Sequence, residues 1–224
     1  MVRVWERVTD LAVADQVVVA TDSEEIATAV RAAGGAATLT AAEHPSGTDR
    51  VAEVAVQRQY ARYEAFVNVQ GDEPFVTESA VRGAAEVVTS GRFPLGTVAA
   101  PAGDDVLGSP QVVKVVTADD GRALYFSRAP IPWLRDHDDA SLRAAVIRQH
   151  IGVYAYTRDA LAAWVALPPH PLERIERLEQ LRPLAAGLAM GVAFVSELPA
   201  GGVDTEEDLA RANARWTELS AGRM

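Results

Sequence analysis

The 224-residue chain contains no cysteine, which removes disulfides, thiolate-held metals and cysteine nucleophiles from its chemistry. Histidine is scarce as well. The four present lack close zinc spacing, and no Gly-x-Ser-x-Gly elbow occurs, so zinc and serine hydrolase chemistry find no support. Neither a P-loop pattern nor a Gly-x-Gly-x-x-Gly run is present. No apolar run approaches the roughly 20 residues that span a bilayer. The opening MVRVWERVTDLAVAD mixes charge with helical apolar spacing and lacks the uninterrupted apolar stretch of a secretory signal. A cytoplasmic protein with no membrane partner is therefore expected. Positive charge is in deficit, with 21 Lys and Arg against 31 Asp and Glu, for a formal net charge of −10. Nucleic-acid binders present basic surface to phosphates, so nucleic acid is not an expected partner. A small anionic substrate remains open, because a few local arginines suffice for it.

What is present is a globular composition, 49% hydrophobic and 23% charged, on a chain long enough to bury most of the surface it exposes when unfolded. Apolar spacing alternates between helical and β-like periods. Val4, Val8, Leu11 and Ala12 share a helical face, and Val17 to Ala20 reads as a buried strand. Thr21-Asp22-Ser23 with Glu24 and Glu25 opens a helix that Gly34-Gly35 ends. Strands are expected at Ala36 to Leu39 and Phe66 to Val69, helices at Asp49 to Tyr60 and Thr77 to Thr89. This alternation favours a parallel sheet covered on both faces. The pattern then changes: Leu95 to Ala100, Val112 to Thr117 and Arg122 to Ser127 are β-like, the last two joined by the hairpin signal Ala118-Asp119-Asp120-Gly121. A polar, loose segment is expected over Arg135 to Ser141, then a strand at Ile151 to Tyr156, helices at Asp159 to Val165 and Leu172 to Leu184, a strand at Val192 to Val195 and a capped helix from Thr205. The expected fold is one α/β domain, 1–224, with a mostly parallel central sheet and a smaller antiparallel subregion over about 112–156.

In open α/β sheets ligands bind beyond the carboxyl ends of strands. Asp72 follows the Phe66 to Val69 strand, and Asp204 follows Gly201-Gly202-Val203 and precedes the possible capping box Thr205-Glu206-Glu207-Asp208. Two such carboxylates suit Mg²⁺ shared with substrate phosphates, although Asp is equally at home in turns and helix caps. The loop His44-Pro45-Ser46-Gly47-Thr48-Asp49-Arg50 offers donors near a helix start. Tyr125-Phe126-Ser127-Arg128, with Arg135, His150, Tyr154, Glu179 and Gln180, supplies cationic and hydrogen-bonding groups fit for a polyhydroxylated acid; singly, most would serve packing or surface. Glu173, Glu176 and Glu179 against Arg174 and Arg177 read as a solvated helix face with ion pairs along it, and Trp5, Trp164 and Trp216 as core or interface.

The ordered series VVVATD, HPSGTDR, NVQGDEPF, VVKVV, ALYFSRAPIPW, RQHIGVYAY, PLERIERLEQLR and GGVDTEEDL resembles the bacterial 3-deoxy-manno-octulosonate (Kdo) cytidylyltransferases over nearly the whole chain. The resemblance implies a Rossmann-like nucleotidyltransferase fold, a homodimer, and the joining of CTP and Kdo into CMP-Kdo and pyrophosphate for lipopolysaccharide synthesis. It assigns Asp72 and Asp204 to Mg²⁺, Arg50 and Gln70 to the nucleotide, and Arg128, Arg135, His150, Tyr154, Glu179 and Gln180 to the sugar acid. Phe126, Ile131 and Trp133 are the residues expected at the dimer contact. A related acceptor such as 8-amino-Kdo, or a noncatalytic binding subunit, are the alternatives. The family's first strand and the basic, phosphate-holding loop after it have no counterpart here, and MVRVWERV resembles the helix that follows them. Weak or no turnover is accordingly expected of the chain starting at Met1, with activity restored by an upstream extension.

Overall fold

A computed structural model describes the backbone of residues 1–221 and the side chains of residues 1–218. Helix α1 (Val2–Asp10) leads to strand β1 (Val18–Thr21), α2 (Glu24–Ala32) and β2 (Ala36–Leu39). Ser23 accepts from the Ile26 amide at the start of α2, and Glu24 and Glu25 complement its dipole. After α3 (Gly47–Ala55) come β3 (Ala65–Asn68), α4 (Glu78–Thr89) and β4 (Leu95–Pro101). Strands β5 (Lys114–Thr117) and β6 (Ala123–Ser127) form the expected hairpin, closed by Gly121 at φ 84°, a left-handed conformation that favours glycine. The remaining elements are α5 (Ala140–Val146), β7 (Arg148–Thr157), α6 (Arg158–Ala166), α7 (Pro171–Glu176), α8 (Leu181–Ala185), β8 (Met190–Phe194) and α9 (Glu206–Ala221).

The α/β class is as expected, but the main sheet is mixed. β4 and β8 are parallel, whereas β7 runs antiparallel to β3, β4 and β5. The chain enters β7 from the β5–β6 hairpin through short α5, and an antiparallel neighbour needs no long crossover helix. Along β7 the side chains alternate: Tyr154 and Tyr156 enter a core with Leu95, Phe126, Trp164 and Met190, while Ile151, Val153 and Ala155 enter a second core with Val76, Val81 and Val98. α4 closes against the second face so tightly that a Cβ on Gly96 would lie 2.7 Å from the Ala84 carbonyl oxygen.

β1 and β2 form a separate two-stranded parallel sheet. One edge of β1 and one edge of β3 carry no strand partner among the described residues, and both strands line an apolar cavity of about 470 Å³ with Val4, Trp5 and Val8 of α1.

Other expectations are revised. The segment from Arg135 contains a 3-10 turn, His137–Asp139, and α5, where a loose stretch was expected. The Asp49 to Tyr60 helix ends at Ala55, followed by a separate 3-10 turn at Arg58–Tyr60. The single helix over Leu172 to Leu184 is two, parted at Arg177 in a left-handed conformation, φ 55°. A continuous helix would put Pro183 in its interior, with the ring against the Glu179 carbonyl; the break moves Pro183 into the first turn of α8, where proline is tolerated. Phe126 is fully buried and offers no surface to a partner, whereas Trp133 is 78% exposed.

Candidate active site

The strands end around the first turn of α3. Ser46 caps that helix by accepting from the Asp49 amide. Gly47 packs so closely that a Cβ there would lie 3.5 Å from Asn68 Nδ2 and 3.7 Å from Gln70 Oε1. The Gln70 stem in turn lies beside Gly152 of β7. Arg50, one turn along α3, reaches back over β1 and β2: Nη1 donates to Thr40 Oγ1 at 2.5 Å and the Ala41 carbonyl at 3.3 Å, and Nη2 pairs with Asp22 at 3.4 Å. Thr48 donates to Glu179 Oε1 at 3.0 Å and accepts from the Tyr156 hydroxyl at 3.0 Å, tying α3 to the segment after α7. Gln70 and Arg50 thus lie at one helix start, and Glu179 meets the same helix.

The segments that carry the two aspartates, far apart in sequence, meet. The Val203 amide donates to the Asp72 carbonyl oxygen at 2.9 Å, and a Cβ on Gly202 would lie 3.6 Å from Asp72 Oδ2 and 3.3 Å from Glu73 Oε1. The expected capping box forms: Thr205 Oγ1 accepts from the Asp208 amide, and Asp208 accepts from Thr205. Asp208 is thereby engaged, while the Asp204 and Asp72 carboxylates are exposed and accept no hydrogen bond among the described residues. Glu73, next to Asp72 in the chain, is half-buried, and its Oε2 has no partner among the described residues. Burial first, then the charges of Asp72 and Asp204, hold the Glu73 carboxyl above the usual carboxylate range.

On the other side of Gln70, His150 and Tyr154 project from β7. The His150 ring packs edge-on against Phe126 at 5.0 Å and beside Tyr154 at 5.5 Å. The Thr97 hydroxyl donates to the Val153 carbonyl at 2.8 Å, so it accepts from His150 Nε2–H, also at 2.8 Å. Burial pushes the His150 pKa down to about 3, which leaves Arg128 and Arg135 as the cations of the expected set and His150 as a neutral hydrogen-bonding group. Tyr154 is buried with its ring edge-on to Trp164, and burial raises its hydroxyl well above the ordinary phenol range. Among the described residues the buried Gln180 Nε2 has no partner, and neither has the buried Glu179 Oε2. Burial raises the Glu179 carboxyl against the opposing bonds from Ser46 and Thr48.

Arg128 follows β6. Its Nε donates to the Glu176 carbonyl at 2.8 Å, Nη1 to the Pro110 carbonyl at 2.9 Å and Nη2 to the Arg177 carbonyl at 3.5 Å. Arg135 lies exposed on the loop beyond and makes no hydrogen bond or ion pair with the described residues. The solvated glutamate face is overturned. Glu173 accepts from Arg182 Nε at 2.8 Å and Nη2 at 2.5 Å, Glu176 accepts from the Ser127 hydroxyl and the Arg128 amide, and Glu179 accepts from Thr48. The contacts of Lys114 and Glu176 with Arg128 were not expected: Glu176 was expected on a solvated face, and Lys114 stood only as part of a motif. The available signal was a lone lysine inside the β-branched run VVKVV.

The family model for cytidylyltransferases matches residues 1–192. A 3-deoxy-manno-octulosonate cytidylyltransferase of Gemmatimonas aurantiaca is 58% identical over 99% of this chain and 85% of its own length. The chain belongs to the 3-deoxy-manno-octulosonate cytidylyltransferase family. A second member, from Leptothrix cholodnii, is 46% identical over 96% of this chain and 81% of its own length. A solved CMP:2-keto-3-deoxy-manno-octonic acid synthetase complexed with CTP superposes with a TM-score of 0.87 at 34% identity, over 97% of this chain and 87% of that one. A 4-diphosphocytidyl-2C-methyl-D-erythritol synthase from Anaerococcus prevotii, 13% identical with a TM-score of 0.62, shares the fold.

A divalent ion fits the acidic end of this cytidylyltransferase. Two exposed carboxylates lack protein partners, a third acid is held protonation-prone beside them, and all the donors are hard oxygens. No cage of three or more His, Asp and Glu is preformed among the described residues. Mg²⁺ commonly takes one or two carboxylates and completes its shell with water and substrate phosphate, so this sparse set suits it.

Proposed function

We propose that this chain transfers CMP from CTP to Kdo, releasing pyrophosphate and supplying the activated sugar for lipopolysaccharide synthesis in the cytoplasm, as a homodimer. The observation that carries the reading is that the segment bearing Asp204 is tied to Asp72 by the Val203 to Asp72 backbone bond, with both aspartates acting on Glu73, in a chain that the cytidylyltransferase family model matches. In this reading Asp72 and Asp204 hold Mg²⁺. Arg50 and Gln70, at the first turn of α3, take the nucleotide side. Arg128, Arg135, His150, Tyr154, Glu179 and Gln180 take the sugar acid, with about 112–156 as the sugar-binding and dimer subregion.

The chemical problem is repulsion: an anionic sugar must bring its anomeric hydroxyl to the α-phosphorus of a polyanion. Bound Mg²⁺ would supply charge neutralisation and acidify a coordinated hydroxyl. The residues supply position. Neutral His150 and the Tyr154 hydroxyl are suited to hydroxyl groups, Arg128 to the carboxylate. The unpartnered Gln180 Nε2 and Glu179 Oε2 are buried hydrogen-bonding atoms that a polyhydroxylated ligand would satisfy. No side chain is assigned as general base.

The test is pyrophosphate release from CTP and Mg²⁺ with Kdo or 8-amino-Kdo. Kdo-dependent release is expected. Asp72→Asn and Asp204→Asn should each lower turnover beyond the roughly 10–100-fold typical of losing an outer-shell metal partner, with near-ultraviolet circular dichroism unchanged. Wild-type CMP-Kdo formation by both variants would overturn the metal assignment.

A further inference from the structure

Lys114 lies on β5 with its side chain fully buried. Its Nζ donates to three backbone carbonyls: Arg128 at 2.6 Å, Val112 at 2.7 Å and Ser109 at 3.0 Å. Glu176, at the end of α7, grips the same neighbourhood from the other side. Its Oε2 accepts from the Arg128 amide at 2.9 Å and its Oε1 from the Ser127 hydroxyl at 2.6 Å. Both backbone groups of Arg128 are therefore held by ionisable side chains of two different elements, Lys114 fully buried and Glu176 half-buried. The guanidinium is fixed as well. Its three bonds to the carbonyls of Pro110, Glu176 and Arg177 leave one N–H on Nη1 and one on Nη2 unspent. The segment 109–112 closes the arrangement, since Lys114 holds its two ends and Arg128 holds Pro110 between them.

Such an investment in one peptide unit exceeds what a surface arginine requires. Two cations face one another here, and a single carboxylate, Glu176, offsets them; among the described residues no second carboxylate hydrogen-bonds the trio. The cluster therefore carries one positive charge in excess where the guanidinium has two donors to spare. Arginine presents paired N–H groups that match a carboxylate, and pre-paying the cost of ordering its long side chain strengthens whatever it binds.

We propose that Lys114 and Glu176 are positioning residues, which clamp the Arg128 peptide so that its two spare N–H groups are preset for the carboxylate of the sugar acid. The inference rests on the proposed acceptor side of the site and adds two residues to it, neither of which touches substrate.

The experiment measures dissociation constants for Kdo and for CTP separately by calorimetry, so that turnover is not needed. Glu176→Gln removes one of two acceptors and should weaken Kdo binding by about 10-fold or more, the scale of one lost hydrogen bond to a charged group, with CTP binding within twofold of wild type. Lys114→Arg, which keeps the charge and the donors, should retain more Kdo affinity than Lys114→Met. Should Lys114→Met fail to fold, Glu176→Gln and Lys114→Arg still decide. An Arg128→Lys background supplies the readout that a merely structural role would not give: there, Glu176→Gln should cause no further loss, because its effect passes through Arg128. The proposal is overturned if the two dissociation constants move together, if neither moves, or if the losses add in that background. Absence of Kdo binding by the unsubstituted chain would overturn the reading of the site itself, and the inference with it.

Discussion

Arg182→Met tests whether the glutamates of α7 are structural. The Arg182 and Glu173 side chains are 8% and 15% exposed and meet through two bonds, at 2.8 Å and 2.5 Å. Removing one partner of a buried pair typically costs about 3–5 kcal/mol, because the other charge is left uncompensated. Glu173 keeps the His170 amide as a donor at 3.2 Å and some contact with solvent, which brings the expected loss to about 2–3 kcal/mol. Against a domain stability of about 5–15 kcal/mol that is a large fraction, readable from the midpoint of urea unfolding. Adding Glu173→Met removes the orphaned charge and should recover most of the loss. The pH dependence follows from sign. The side-chain bond from Arg182 is the largest cause holding the Glu173 carboxyl below its ordinary 4.5. A depressed carboxylate contributes stability above its unfolded pKa and loses it as pH falls through the folded value. The gap between wild type and Arg182→Met should therefore be constant near neutrality and narrow only below pH 4.5. A gap under about 0.5 kcal/mol at pH 7, the size of an exposed pair, or one unchanged into strong acid, refutes the argument.

Two further perturbations follow from the packing. His150, pushed down to about 3 by burial, should show no ring titration between pH 8 and 5 by NMR, and its protonation should cost stability as pH falls below the unfolded value of 6.5, by up to about 1.4 kcal/mol per pH unit; a titration midpoint near 6.5 would contradict its buried, neutral state. Gly96→Ala would place a Cβ 2.7 Å from the Ala84 carbonyl oxygen and force α4 off β4, an overpacking cost of about 1–3 kcal/mol that a thermal melt detects; an unchanged midpoint would show that the helix yields freely.

Local chemistry made much of this fold legible. The Thr205 to Asp208 capping box, the hairpin turn at Gly121 and the Ser23 cap each depend on neighbours within a few residues, and each forms. Strand direction does not leave such a trace. The apolar period of β7 is the same whichever way it runs, and its reversal against β3 and β4 depends on how the hairpin before it folds back. The glutamates misled for a related reason. Spacing of three on a continuous helix would put Glu173, Glu176 and Glu179 on one face, but the turn at Arg177 takes Glu179 off that face, and Glu173 and Glu176, still on one helix, each meet a partner of their own in place of solvent. The aspartates were legible as residues at element ends; their meeting required the 201–204 segment to lie against Asp72, a contact between segments far apart in sequence.

The charge pattern gives the site its polarity. At one end Asp72, Glu73 and Asp204 lie near one another, and burial first, then the charges of the two aspartates, raises the Glu73 carboxyl. At the other, Lys114 and Arg128 outweigh Glu176. Gln70 and the first turn of α3 lie between, in contact with β7 through Gly152 and with the α7–α8 segment through Thr48 and Glu179. A triphosphate cannot approach the acidic end unaided, since like charges at contact distance in a partly desolvated site cost several kcal/mol. The arrangement therefore favours nucleotide only together with a cation at the aspartates, while the opposite end attracts a carboxylate with no such help. Nucleotide affinity should depend more steeply on Mg²⁺ than sugar-acid affinity, because Asp72 and Asp204 are exposed carboxylates that accept no hydrogen bond among the described residues, whereas Glu176 and Glu179 on the sugar-acid side are hydrogen-bonded within the protein.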